Sequence, residues 1–175
     1  MRDTTHPRIC LLARALPLLV AAACASGQPG GGAGQYELVM CGEGSGESRS
    51  AEITDDGGAV EVRGHLLAVP GGAVNRRTSF TITDRPGRYV GVEVGPHGTR
   101  FGNGKRAQLT LSYARCGDSL AGYSDLRVVH VRPDTPVVIR VLDSQVDPEA
   151  RTVTTVEGLE HLSGYLIGGN REGGS

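Results

Sequence analysis

Short runs of alternating apolar and polar residues, interrupted by turn-forming residues about every eight to twelve positions, constrain this chain most. In one of them, Val90, Val92 and Val94 alternate with small or polar neighbours. No stretch repeats apolar residues at helical spacing over three turns. The pattern therefore predicts an all-β fold, a single antiparallel β-sandwich. Ten strands are expected, at residues 36–40, 59–63, 65–69, 78–83, 89–94, 107–113, 125–131, 136–142, 151–156 and 161–167, with a loop at 42–50.

Composition excludes several classes of protein. Hydrophobic residues make up 38% and charged residues 21% of the 175 positions, unlike a disordered chain. The formal net charge is −1, whereas a nucleic-acid binder carries a basic footprint, so we expect no nucleic-acid partner. No uncharged apolar run reaches the roughly 18 residues of a membrane-spanning helix. The core must be built mainly from Val, Leu and Ile, since there is no Trp and only two Phe.

The first residues have the organisation of an export signal. The segment 1–14 contains three Arg and one Asp, and the apolar stretch 15–23 follows it directly. A basic start, a short apolar middle and small residues before a cut are typical of a secretory signal peptide, predicted here at residues 1–23. We therefore expect the protein to be exported.

The residues before Cys24 carry a second signal. Val20-Ala-Ala-Ala23 resembles the lipobox of bacterial lipoproteins, although the third residue before the cysteine is Ala21 where Leu is usual. The resemblance implies that Cys24 becomes the first residue and carries a lipid that anchors the protein in a membrane. Ala25, in place of Asp, implies the outer membrane or the cell surface. A cut by ordinary signal peptidase after Ala23 remains the alternative, and the protein would then be periplasmic or secreted.

Composition also divides the rest of the chain. Residues 24–35 contain five Gly and no large apolar side chain, which predicts a flexible tether behind the lipidated cysteine. The sandwich is expected at residues 36–170, with a disordered tail at 171–175.

Two further cysteines remain for the folded domain, because Cys10 leaves with the signal. In an oxidising compartment, Cys41 and Cys116 predict a disulfide, with two free thiols as the weaker alternative. Neither has a second Cys or His at metal-ligand spacing. We expect no metal and no cofactor.

Several segments, taken in order, resemble the ZU-five domain shared by zonula occludens proteins, netrin receptors and ankyrins, and its relatives in secreted bacterial proteins. They are Gly57–Val60, Leu67–Val74, Thr78–Ile82, Pro96–Phe101 and Leu109–Leu111. The likeness covers roughly residues 57–167. It implies a non-enzymatic binding or structural module in the cell envelope, with a protein partner at the cell surface that the residues do not identify.

One motif suggests chemistry instead. Some proteins with this domain cut themselves at His-Phe-Ser, which resembles His161-Leu162-Ser163. In that reaction the Ser163 hydroxyl would attack the carbonyl carbon of Leu162 while His161 takes its proton. The Leu162–Ser163 C–N bond would break to leave an ester, which water would then hydrolyse. The alternative function is thus a self-cleaving sandwich that cuts between Leu162 and Ser163. The other interpretation of the motif is an ordinary last strand.

The remaining polar residues form no recognisable catalytic pattern. His65, His97 and His130 lie far apart, and we expect each to be solvated or satisfied singly. The basic pairs Arg76-Arg77 and Lys105-Arg106 are predicted to be loop faces.

Overall fold

A computed structural model describes residues 36–132 and 135–171. Within them the chain forms fourteen strands and one short 3-10 helix, Ala114–Cys116. The strands are β1 (Glu37–Leu38), β2 (Met40–Gly44), β3 (Ser48–Ile53), β4 (Gly58–Val62), β5 (His65–Val69), β6 (Thr78–Asp84), β7 (Gly87–Tyr89), β8 (Gly91–Gly95), β9 (Gln108–Ser112), β10 (Tyr123–Val131), β11 (Val138–Val141), β12 (Ser144–Asp147), β13 (Thr152–Thr155) and β14 (Gly164–Arg171).

The strands form two packed sheets and a small ribbon, with antiparallel pairing throughout. The larger sheet has the order β11-β10-β14-β8-β6-β3, and β1 pairs with the last part of β14. The smaller sheet has the order β12-β13-β9-β5-β4. A ribbon of β2 and β7 lies beside them. The turn between β3 and β4 carries the chain from one sheet to the other.

The core lies between the inner faces of the two sheets. From the larger sheet come Phe80 and Ile82, both fully buried, and from the smaller sheet come Leu109 and Leu111. A half-buried threonine, Thr81 in β6 and Thr110 in β9, separates the two buried residues of each pair, because successive side chains of a strand point to opposite faces. The predicted all-β sandwich is therefore confirmed.

The structure corrects the expected strands in four places. The segment 42–50 was predicted to be a loop, but β2 runs to Gly44 and β3 begins at Ser48. The single run 89–94 is divided into β7 and β8, and β12 was not predicted at all. The last strand begins at Gly164, so residues 161–163 precede it.

The polar character of β3 explains why its start was missed. Ser48 and Ser50 are exposed, and their hydroxyls pair with those of Thr83 and Thr81 on β6, at 2.7 Å in both cases. Cross-strand hydroxyl pairs of this kind stabilise a sheet without any apolar residue. A Ser-rich segment therefore forms a strand here because its partner strand supplies matching hydroxyls.

Several predictions concern residues that the structure does not describe. The signal peptide at 1–23, Cys24 and the tether at 24–35 lie outside the described residues, as do residues 172–175 of the predicted tail. Arg171, placed in that tail from composition, is the last residue of β14. Among the described residues, no helix is long and apolar enough to cross a membrane.

Candidate functional site

A buried histidine, a buried carboxylate and a half-buried arginine meet near the ends of β5, β6 and β9. His65 begins β5, Asp84 ends β6, and Arg115 lies in the 3-10 helix that follows β9. The side chains of His65 and Asp84 are only 2% and 3% exposed. His65 is buried because it shares the inward face of β5 with Leu67 and Val69.

Hydrogen bonds fix the protonation state of His65. Its Nδ1 accepts the backbone N–H of Ser112 at 3.1 Å, and its Nε2 lies 3.4 Å from Oδ1 of Asp84. Burial lowers the pKa of His65 to about 4, with a smaller lowering contribution from Arg115, although Asp84 acts in the opposite direction. At neutral pH the ring is therefore uncharged, and its single proton is on Nε2, facing the carboxylate.

Asp84 is the centre of this cluster. Its Oδ2 accepts the backbone N–H of Ser45 at 2.6 Å and the Ser45 hydroxyl at 2.7 Å. Its Oδ1 accepts Nη1 of Arg115 at 2.9 Å. Burial raises the pKa of Asp84, but the two bonds from Ser45 and the charge of Arg115 outweigh it, so the pKa is lowered overall. The carboxylate is ionised and fully occupied by partners.

The predicted disulfide is present beside this cluster. Cys41 in β2 is bonded to Cys116, the neighbour of Arg115. Arg115 also donates Nη2 to the carbonyl of Tyr89 at 2.6 Å. The disulfide and the Asp84–Arg115 ion pair thus fasten the β2–β7 ribbon and the 3-10 helix to the body of the sandwich.

A polar cleft of about 410 Å³ opens onto the cluster, lined by Glu43, Ser45, Arg63, His65, Asp84, Ser112, Ala114 and Arg115. A His, an Asp and a Ser in one cleft suggest a nucleophile activated by a base, but the bonding differs from that arrangement. Both ring nitrogens of His65 already face partners, and the Ser112 hydroxyl accepts the N–H of Ala114 at 3.3 Å. The arrangement positions strands and leaves no imidazole nitrogen to take a proton from a hydroxyl.

The residues of the self-cleavage motif occupy different environments. His161 is exposed in the loop before β14, whereas Leu162 and Ser163 are buried. The ring of His161 contacts His130 edge-on, with 4.9 Å between ring centres. The Ser163 carbonyl accepts the N–H of Val94 at 2.9 Å. Within the described part of the chain, no hydrogen bond joins the side chains of His161 and Ser163.

Tyr165 and His130 form the buried surroundings of this motif. The Tyr165 hydroxyl donates to the carbonyl of His161. Burial, followed by the charge of Glu93, raises the pKa of Tyr165, so the phenol stays protonated and able to donate. Burial also lowers the pKa of His130, reinforced by His161 and Arg140. These contacts hold the loop before β14 against the sandwich.

Two expectations from the sequence concern metal ligands and the environment of His65. Among residues 36–132 and 135–171, no three His, Cys, Asp or Glu side chains are grouped as metal ligands would be. His65 was expected to be solvated or satisfied singly, but it is buried and shares its cluster with Asp84 and Arg115. The alternation of His65, Leu67 and Val69 could have indicated its burial. Its partners could not be found, because they are distant in sequence.

Comparisons with known proteins add no assignment to this geometry. A scan against protein-family models matches no family, and a search of curated proteins finds no similar chain.

Proposed function

We propose that this chain is an exported cell-envelope lipoprotein, anchored in a membrane through Cys24, whose β-sandwich is a non-enzymatic binding or structural module. The Cys41–Cys116 disulfide is the observation that carries the proposal. Structural disulfides persist in oxidising compartments and are rare in the cytosol. A disulfide therefore agrees with an export signal at residues 1–23, which was inferred from different residues.

The charge cluster supports a module that holds its shape. Asp84 has three hydrogen-bond donors and faces His65, so its partners within the domain satisfy the carboxylate. Buried charges that are fully paired stabilise one arrangement of the strands and oppose others. Such a cluster suits a rigid binding module. The likeness of residues 57–167 to ZU-five domains supports the same function.

The anchor is tested by comparing two cysteine variants of the full chain. Cys24→Ala should leave the membrane fraction and lack the lipid mass, since the modified residue is gone. Cys10→Ala is the matched control, because Cys10 lies in the predicted signal and should not affect fractionation of the mature protein. If Cys24→Ala remains in the membrane fraction as fully as the parent, the anchor is refuted.

Intact mass of the same detergent-extracted protein tests the rest of the proposal. The expected chain begins at Cys24, carries a lipid-sized increment and gains two hydrogen masses on reduction. A chain that ends at Leu162 under denaturing conditions would support the self-cleaving alternative, and Ser163→Ala should then restore full length. A chain with free Cys41 and Cys116 before reduction would contradict export to an oxidising compartment.

A further inference from the structure

One end of the sandwich carries a group of exposed cations. At this end β5 and β8 finish, and the loops after them contain Arg76, Arg100, Lys105 and Arg106, all exposed. We call these four residues the basic end. Ile53 at the end of β3 pairs with Thr78 at the start of β6, and Ala68 near the end of β5 pairs with Gln108 at the start of β9. These pairs place both loops at the same end of the two sheets.

The basic end contains two open clefts. One, of about 640 Å³, is lined by Arg100, Lys105 and Arg106, and the other, of about 730 Å³, by Arg76 and Arg100. Arg100 lines both, so the clefts are neighbours. Glycines at several lining positions leave the clefts unobstructed by side chains.

Acidic side chains among the described residues leave most of the positive charge of these clefts unpaired. Their lining includes one acidic residue, Glu160, which already contacts Arg106 and Arg140 at 3.2 Å each. In the described part of the chain, the side chains of Arg76, Arg100 and Lys105 make neither an ion pair nor a hydrogen bond. Three cations that lack a partner among residues 36–132 and 135–171 therefore face the clefts of a protein whose formal net charge is −1.

Uncharged groups beside the cations favour a sugar polymer. Phe101 lines both clefts and stacks on Phe80, with 6.3 Å between ring centres, so an aromatic side chain is held in place there. Asn75 and Thr99 add an amide and a hydroxyl to one cleft. Guanidinium groups bind carboxylate or phosphate, while amides, hydroxyls and an aromatic surface suit sugar rings and their hydroxyls. Arg clusters also recognise acidic peptide motifs, but the aromatic, amide and hydroxyl groups of this lining favour the sugar polymer, and the experiment below separates the two ligands.

The strand β1 begins at the end of the sandwich opposite the basic end. Glu37 in β1 pairs with Gly169 near the end of β14, whereas Gly164, the first residue of β14, pairs with Glu93 near the basic end. The eight residues of β14 span about 26 Å at the usual rise per residue. The first strand of the described chain thus begins at the end of the sandwich opposite the basic end.

We propose that the basic end binds an anionic polysaccharide, a sugar polymer bearing carboxylate or phosphate groups. This binding does not depend on the proposed anchor at Cys24.

Binding of the oxidised full chain in neutral detergent to immobilised polygalacturonate tests the proposal. The triple variant R76Q/R100Q/K105Q should bind about tenfold more weakly, as expected for three exposed charge contacts. The matched control is R63Q/R88Q/R151Q, which removes the same charge from exposed arginines at the opposite end. It should bind within about twofold of the parent. Neutral dextran should not bind.

Three results would overturn the proposal: no binding to polygalacturonate, equal losses in both triple variants, or equally tight binding to polyglutamate. The last result would identify an acidic peptide as the partner. Failure here is distinguishable from failure of the proposed function. If the protein fractionates with membranes through Cys24 but does not bind polygalacturonate, only the polysaccharide proposal is refuted. If it binds polygalacturonate but carries no lipid, only the anchor is refuted.

Discussion

Replacing Asp84 by Asn tests whether the buried charge cluster holds the sandwich together. The two residues have nearly the same shape, so the change removes a charge without leaving a cavity. In the native structure Oδ2 accepts two donors from Ser45, while Oδ1 accepts Arg115 and faces Nε2 of His65. The Asn amide has one oxygen and one NH2 group, so either orientation directs a donor at another donor.

The expected cost follows from these contacts. His65 cannot relieve the conflict by moving its proton to Nδ1, because Nδ1 already accepts the N–H of Ser112. Breaking a buried ion pair by removing one partner costs about 3–5 kcal/mol. Arg115 is 21% exposed and can recruit water, so we expect the lower value, about 3 kcal/mol, or roughly 10 °C in Tm.

Urea unfolding of the oxidised protein, followed by circular dichroism, measures this loss at neutral pH. The midpoint should fall while the slope with urea stays unchanged, which would show that the folded state keeps its compactness. Asp143→Asn is the control, because the Asp143 side chain is 61% exposed and, among the described residues, its carboxylate pairs with Arg127 alone, so its loss should cost less than about 1 kcal/mol. If Asp84→Asn costs no more than this control, the cluster does not stabilise the fold as argued.

Three further perturbations have expected outcomes. His65 has a pKa of about 4 in the folded protein and about 6.5 in the unfolded chain. Between these two pH values the unfolded chain binds more protons, so the free energy of unfolding should fall by about 3 kcal/mol as the pH drops from 6.5 to 4. In His65→Gln that part of the pH dependence should vanish from urea midpoints, and an unchanged profile would contradict the assignment. Removing the Cys41–Cys116 disulfide, which closes a separation of 75 residues, should cost about 4 kcal/mol by calorimetry, and a loss under about 1 kcal/mol would refute the reasoning. Gly91→Ala would place a Cβ 2.1 Å from the carbonyl oxygen of Tyr165 and should destabilise by about 3 kcal/mol or prevent folding, whereas Gly42→Ala should be neutral.

The sequence predicted those elements whose stabilising contacts are local or periodic. Val92 and Val94 alternate because one face of β8 packs in the core, so their strand could be identified directly. β3 and β12 were missed because their stability comes from neighbours: β3 from hydroxyl pairs with β6, and β12 from pairing with β13. A pattern within one segment carries no information about such partners.

The same distinction applies to the candidate site. Cys41 and Cys116 could be paired from composition, since two cysteines remained for one oxidised domain. No sequence pattern identifies Asp84 and Arg115 as partners, because Asp84 lies at the end of a strand and Arg115 in a helix of three residues. They meet only when β6 and β9 are assembled in different sheets. The basic pairs were correctly placed in loops, but their convergence with Arg100 depends on the registers of both sheets.

Charged side chains are paired with each other at one end of the sandwich and exposed at the other. Substitutions at the two ends should therefore affect different properties, stability at one end and ligand binding at the other. At the end near the disulfide, the buried Asp84 carboxylate pairs with the half-buried Arg115, so their interaction stabilises the fold. At the basic end, Arg76, Arg100 and Lys105 are exposed and have no partner among the described residues, so their replacement leaves few contacts unsatisfied. Substitutions near the disulfide should therefore change unfolding and leave an anionic partner's affinity intact below the unfolding transition. Substitutions of Arg76, Arg100 and Lys105 should do the reverse, because charges without a partner among the described residues remain available to a ligand.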